Sequence, residues 1–495
     1  MVGLFNILES NKKQNAYLAT EYILTDGPFD SPQNFNRLNI FGKYSVQLDN
    51  SSKVSFQATR FSSRWDASGQ IPNRLVNDGS ISRFGAVDDT EGGFTSRTNF
   101  MASHQKSIDE NTFVKTNVFY CKYDFTLFSN FTFFLNDPIN GDQIKQKESR
   151  NLYGATTEFN KKIILEKNVV SLQSGIGFRA DEIDGIELSR TLNRQEVLEN
   201  IQLGDVDESN LYGYFNSEFK INKFKIAPAV RLDYFKFNYQ NRLEPLFKTL
   251  STTAIKVSPK VNLSYSQNSN VEYFIKSGFG FHSNDSRVAL QEDKEVVPSV
   301  VGIDVGNVWK PISNLIVNTA VWTLFSQQEF VYVGDEGIVE ASGKSRRLGI
   351  DFGFRYQISD YVFADFDGNY AFARTGDDFN EYIALAPKFS STGGLSLKEF
   401  KGFSAAIKYR YLGDRAANED NSVLAKGYFV SDFNINYSIS KFNIGLVIEN
   451  IFNTEWNETQ FLTESRLQNE TQSVEEIHFT PGTPFFAKIK VAYSF

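Results

Sequence analysis

The fold turns on the stretch Leu348-Gly349-Ile350-Asp351-Phe352-Gly353-Phe354-Arg355-Tyr356. Its even positions are all aliphatic or aromatic, and its odd positions are glycine, aspartate and arginine. A strand sends successive side chains to opposite faces, so this alternation gives one apolar face and one polar face. The same split recurs at Val257, Pro259, Val261, Leu263 and Tyr265 against Ser258, Lys260, Asn262, Ser264 and Ser266. It returns at Phe403, Ala405, Ile407, Tyr409 and Tyr411 against Ser404, Ala406, Lys408 and Arg410, and at Phe442, Ile444, Leu446 and Ile448 against Asn443, Gly445, Val447 and Glu449. Nothing comparable repeats at helical spacing, so the chain reads as almost entirely antiparallel β.

A soluble sandwich also alternates, and the connections separate the two solutions. In a large transmembrane barrel the polar face lines a wet lumen, turns are short on one side, and loops are long on the other. About 21 strands are marked, among them 112–134, 168–182, 207–221, 314–334, 345–358 and 478–495. Short turns fall at Gln267 to Asn270, Lys310 to Asn314, Ser359-Asp360, Glu399 to Gly402 and Ser438 to Lys441. Long polar loops fall at 66–91, 182–207, 281–297, 413–425 and 453–478. Aromatics crowd strand ends, as at Tyr234, Phe235, Phe237 and Tyr239 or Tyr409 and Tyr411, which suits an interfacial girdle. The fold class expected is therefore all-β, a transmembrane antiparallel barrel with long extracellular loops and short periplasmic turns. Single-chain bacterial barrels carry even strand numbers, so the expected total is 22.

Composition agrees with this and excludes much else. The 495 residues carry a net charge of −8, with 47 Phe, 22 Tyr and 4 Trp but one Cys, two Met and three His. An acidic chain does not suit nucleic acid, whose backbone needs a basic patch. One cysteine excludes an internal disulfide framework and a multi-cysteine zinc site. No apolar run reaches the ~18 residues of a transmembrane helix. Mean hydropathy is −0.34, an average that conceals strands whose alternate residues are polar. The N-terminal Met1-Val2-Gly3-Leu4-Phe5-Asn6 lacks the features of a signal peptide.

Ser258-Pro259-Lys260, Leu263-Ser264-Tyr265 and Gly278-Phe279-Gly280-Phe281-His282-Ser283-Asn284-Asp285-Ser286-Arg287 resemble the mid-barrel signature of TonB-dependent outer-membrane receptors, in the FHSND-x-R form of one subgroup. Further motifs are similar in family order: Thr25 to Phe29, Glu340 to Asp351, Ala386-Pro387-Lys388, Tyr411 to Arg415, Ile448 to Asn453 and Pro481 to Pro484, which is expected to open the closing strand. The resemblance covers essentially the whole chain. It implies energised uptake of a scarce ligand such as a siderophore or cobalamin across the outer membrane of a Gram-negative bacterium. Residues 1–495 are expected to be receptor barrel, N-terminally truncated, without the plug and signal peptide of the family. A passive porin, an inactive remnant and a soluble polysaccharide-binding protein are the alternatives.

Phe485, Ala487, Ile489, Val491, Tyr493 and Phe495 alternate to the C-terminus, and Tyr493 with Phe495 is similar to the signal read by outer-membrane assembly machinery. Candidate ligand-binding residues, in loop or lumen, are His282, Asn284, Asp285, Arg287, Lys344 and Arg346. The first four either bond ligand or plug or anchor the loop; Lys344, Arg346 and Arg347 either attract an anionic ligand or meet lipopolysaccharide phosphates. Lys260, Arg355, Lys408, Arg410, Lys488 and Lys490 are expected in the lumen. The acidic run Asp181, Glu182, Asp184, Glu187, Asp205, Asp207 and Glu208 lacks calcium-loop spacing and reads as a solvated loop. His104 and His478 read as lone surface or interface residues, and Cys121 as an apolar filler. No enzyme motif is present, so no catalytic residue, cofactor or metal is expected. The partners expected are outer-membrane lipid and lipopolysaccharide, the assembly machinery, and the energy-transducing TonB system only if a plug is supplied.

Overall fold

The computed structural model describes residues 2–6, 13–166, 168–282, 295–333 and 338–494. One sheet of 22 segments dominates it, and one of these, Glu381–Tyr382, is a two-residue extension. The other 21 form a continuous wall. They are β1 Val2–Asn6, β2 Gln14–Thr25, β3 Phe35–Asp49, β4 Ser52–Ala67, β5 Glu91–Asp109, β6 Thr112–Ser129 and β7 Ile144–Leu165. β8 Asn168–Leu192, β9 Glu196–Ile221, β10 Phe224–Asn241, β11 Thr249–Asn268, β12 Val271–Phe281, β13 Ser299–Ile312 and β14 Leu315–Ser326 follow. The remainder are β15 Ser345–Gln357, β16 Val362–Thr375, β17 Phe389–Phe400, β18 Phe403–Leu412, β19 Tyr428–Ile439, β20 Phe442–Glu449 and β21 Phe486–Tyr493. Each strand pairs antiparallel with the next in sequence.

The register preserves the two faces from strand to strand. Leu348, Ile350 and Phe352 of β15 stand opposite Thr323, Val321 and Thr319 of β14 and Phe372, Tyr370 and Gly368 of β16. Asp351 stands between Ala320 and Asn369 on the other face. Gly349 is required there, because a Cβ would lie 2.2 Å from the Trp322 ring packed over it. The outward face ends in aromatic pairs beside the short turns: Phe224 with Tyr265 at 4.9 Å, Phe403 with Tyr437 at 4.5 Å and Phe442 with Tyr493 at 4.9 Å. Tyr409 and Phe429 stack at 5.2 Å toward the opposite rim. Tyr234 belongs to the outward face, but Phe235 and Phe237 do not serve as girdle residues. They are buried with Val297 on the polar side of the wall.

Short turns close one end, as at 50–51, 110–111, 222–223, 401–402 and 440–441, where Asn222, Lys401, Gly402 and Ser440 take positive φ. The opposite end differs from expectation in three places. The polar stretch 182–207 is not a loop: β8 and β9 continue as a paired hairpin to a turn at 193–195. Leu188, Ser189 and Thr191 of that hairpin are buried while 196–201 are exposed, and polar and apolar residues mix on both faces, so it lacks the apolar alternation that marks a wall strand. The stretch 314–334 divides into β14 and a separate hairpin, Glu329–Val333 with Ile338–Ser342. The stretch 478–495 also divides, because Val474–Pro481 belongs to a three-stranded loop sheet with Asn457–Ser465 and Ile71–Pro72, and the closing strand starts at Phe486.

That loop sheet joins the connection after β4 to the connection before β21. A five-residue helix α1, Asn73–Asn77, lies beside it. Ala417, Ala425, Ile477 and Phe479 form an apolar core there, with Val76, Leu385, Val423 and Leu462 packed against them. The barrel thus carries a packed cap at its long-loop end.

Candidate ligand path and its cap

Strand parity decides which side chains meet a ligand. Lys260, Arg355, Lys408, Arg410, Lys488 and Lys490 all lie on the lumen face, as expected. Several are matched by nearby acids: Arg355 to Asp367 at 2.7 Å and Lys488 to Glu449 at 2.6 Å on adjacent strands, and Lys408 of β18 to Asp365 of β16 across β17. The Arg410 guanidinium lies 4.7 Å from the centre of the Trp456 ring. Part of the lumen charge is therefore spent within the wall.

A denser cluster lies on β6 to β12. Arg150, Arg179, Asp181, Glu208, Asn210, Tyr212, Arg231 and Phe235 surround a cavity of about 440 Å³, with Phe119 and Phe281 at its sides. Arg179 and Arg231 are built alike. Each grips the acid two residues on, Asp181 at 2.9 Å and Asp233 at 2.7 Å, which a strand places on the same face. Asp233 is fully buried and also accepts from Asn210 Nδ2 at 3.1 Å. Arg231 lies 3.9 Å over the Tyr212 ring, whose hydroxyl is 2.7 Å from Thr156 Oγ1. Gly177 makes room for that ring, since a Cβ there would sit 2.6 Å from it. The arginines are held in place by one edge while their remaining N–H groups reach the lumen, with Arg179 half-exposed. This arrangement presents planar donors beside aromatic surface.

Toward the short-turn end, Lys43, Lys53 and Lys115 line a smaller pocket of about 250 Å³ with Ser55, Gln57, Ser103 and Gln105. Its lining contains no carboxylate.

The sequence-derived candidates are scattered by comparison. His282 follows β12, is exposed, and donates its backbone N–H to Pro298 O at 3.1 Å. Asn284, Asp285 and Arg287 fall outside the described residues. Lys344 is exposed just before β15, and Arg346 shares the outward face with Leu348 and Ile350; its neighbour Arg347 is the one on the lumen face. Strands β13 and β14 stand between His282 and these two. Arg150, Arg179, Arg231 and Asp233 were missed, although Arg-x-Asp repeated on alternating strands was a signal for them. Cys121 is buried on the lumen face, where its Sγ accepts from Arg97 Nε at 3.2 Å, so it is not only a filler.

The cap is tied by charge as well as by its core. Arg74 of α1 reaches Glu470 at 2.9 Å and Glu476 at 2.6 Å. His478 is fully buried, not superficial; its Nε2 is 3.0 Å from Ser465 Oγ and its ring stacks on Phe133 at 5.8 Å. Burial and the nearby Arg74 push its pKa down to about 3. Two family-like stretches also meet here. Asn450 Nδ2 donates to Thr483 O at 3.0 Å and Trp456 Nε1 to the same oxygen at 3.0 Å, which ties the stretch after β20 to the stretch before β21.

An antiparallel wall with an apolar aromatic-edged exterior, a polar lumen and a loop cap on one side defines an outer-membrane β-barrel. The model of the TonB dependent receptor-like beta-barrel family matches residues 34–451, and the chain belongs to that family. Its location is the outer membrane of Gram-negative bacteria. Comparison with curated proteins finds no match. Among solved structures, the chain resembles the ferric citrate transporter FecA in its unliganded form, with a TM-score of 0.82 and 11% identity over 98% of this chain and 74% of that one. It also resembles the siderophore receptor PiuA from Acinetobacter baumannii, with a TM-score of 0.79 and 11% identity over 99% and 78%. The ferric yersiniabactin uptake receptor FyuA from Yersinia pestis gives a TM-score of 0.76 and 9% identity over 100% and 77%. At such identities the likeness is one of fold.

Proposed function

We propose that this barrel carries a scarce ligand, a siderophore-bound metal, cobalamin or a similar chelate, across the outer membrane. The observation that supports it best is the lumen cavity in which Arg179 and Arg231, each fixed by a buried acid, stand beside Tyr212, Phe119 and Phe235. Planar donors next to aromatic surface suit a ligand that combines acidic oxygens with flat apolar portions. The ligands named for two structural relatives, ferric citrate and ferric yersiniabactin, are iron chelates. The Lys43, Lys53 and Lys115 pocket continues the cationic lining toward the periplasmic end. On this reading residues 1–495 act as one transport unit. Energy comes from the TonB system through a plug, Tyr493 contributes to the assembly signal, and no catalysis is involved.

The test is ligand-dependent uptake. Cells that express the complete gene product and lack their other receptors are offered a panel of labelled ferric chelates and cobalamin. One ligand should enter in a TonB-dependent manner, and replacing both Arg179 and Arg231 by alanine should reduce its uptake by ~10-fold or more. Ion conductance without saturable uptake of any ligand would support a passive channel instead.

A further inference from the structure

A second lumen cavity, of about 650 Å³, lies on β14 to β19, apart from the one around Arg179 and Arg231. Asn318, Asp351, Asn369, Thr392, Arg410 and Tyr428 line its polar face. The register sets these groups out strand by strand, with Asp351 of β15 opposite Asn369 of β16 and Thr392 of β17 opposite Arg410 of β18. The strip therefore runs from a carboxylate through an amide and a hydroxyl to a guanidinium.

The protein satisfies neither end. Asp351 accepts from Asn369 Nδ2, but among the described residues no cation pairs with it, whereas Asp367 on the next strand is held by Arg355 at 2.7 Å. Arg410 packs 4.7 Å from the centre of the Trp456 ring, which also meets the Tyr428 ring at 4.7 Å. Its Nε is buried with no hydrogen-bond partner, and no acid among the described residues pairs with it. Arg415, just beyond β18, is buried as well, and its Nη1 also lacks a partner, so a second guanidinium reinforces the positive end. Buried donors and charges left in this state are costly, and a ligand that supplies the opposite charges gains at both ends. Asp351 and Arg410 do not neutralise each other, because three interstrand steps place their backbones ~14 Å apart.

We propose that this strip binds a zwitterionic, peptide-like ligand, with its ammonium group at Asp351, its carboxylate at Arg410 and its amides along Asn369 and Thr392. Once the two side chains reach into the gap, ~10 Å remains between the charges, which is the extended span of a tripeptide. The inference rests on the lumen being the ligand path. It narrows the ligand to one that is a short peptide or carries a peptide-like zwitterionic arm.

The purified complete protein in mild detergent is titrated in a calorimeter with triglycine, with its N-acetylated form and with its C-terminal amide. Triglycine should bind ~10-fold or more tightly than either blocked form. Asp351→Asn should remove its advantage over the acetylated form and keep its advantage over the amide, and Arg410→Gln should do the reverse. A ferric chelate with a free zwitterionic peptide arm that binds ~10-fold above triglycine assigns the site to a chelate, and one that binds no more tightly assigns it to free peptide. Binding is read at equilibrium without uptake, so failure here is distinct from failure of the transport reading. Heat-modifiable gel mobility confirms that each variant is folded. Absence of saturable triglycine binding, equal binding of the blocked forms, or an unchanged preference in either variant overturns the assignment.

Discussion

Asp233 shows how a single side chain sets the lumen surface. Its carboxylate is fully buried, holds Arg231 through two nitrogens and accepts from Asn210. Asp233→Ala leaves Arg231 half-buried without its partner, so we expect a loss of ~1–3 kcal/mol in urea unfolding followed by tryptophan fluorescence, with Asp233→Asn losing less. His478 makes a second case with a definite sign. Its neutral ring is favoured in the folded cap, with a pKa of about 3 against the ordinary 6.5. The cap is therefore fully stable above the ordinary value. As pH falls below it the unfolded cap gains a proton that the folded cap refuses, at up to ~1.4 kcal/mol per pH unit until the folded ring protonates. Protection factors across 457–481, taken relative to the intrinsic exchange rate at each pH, should fall between pH 7 and pH 4, and His478→Gln should flatten that dependence. A lone histidine and a single Arg-x-Asp step are both common, and only the repeat of that step on β8 and β10 was a signal; what these residues do depends on strands and loops remote in sequence.

Elements behave as separate cooperative units. Wall strands between β1 and β21 are held by ladders on both sides, while the cap rests on a small core and on Arg74, whose partners Glu470 and Glu476 come from a connection about 400 residues away. Arg74→Ala should increase exchange by ~10-fold or more in Asn73–Asn77 and Val474–Pro481 and leave the wall strands unchanged. Equal acceleration in wall and cap would show that the two unfold together. Strand recognition from sequence succeeded where one face is apolar, as in β15, and failed in the upper halves of β8 and β9, which have no continuous apolar face. Phe235 and Phe237 show the converse failure: a run of aromatics reads as girdle, yet alternate members face opposite ways, and these two pack against Val297 inside.

At the scale of the molecule, the sidedness of the wall is testable because the chain has one cysteine and it is buried. The wild-type protein should react little with a water-soluble maleimide. Asp351→Cys should react from the lumen, and Ile350→Cys, one residue away, should be protected in membranes and react only with a lipid-soluble reagent. Equal labelling of the two by the water-soluble reagent would contradict the barrel.

The alternation of residues in the sequence alone determined the all-β class, the 21 wall strands, their antiparallel order and the lumen placement of Lys260, Arg355 and Lys408. Period two is a local property that survives in the written chain, and a wall of sequential hairpins adds only neighbour-to-neighbour pairing. Tertiary structure alone decided the rest. The Arg179 and Arg231 cavity needs side chains from six of the seven strands β6 to β12 in register, and the cap needs loops from both ends of the wall. Neither is a local pattern, since each depends on which residues the curled sheet brings opposite one another.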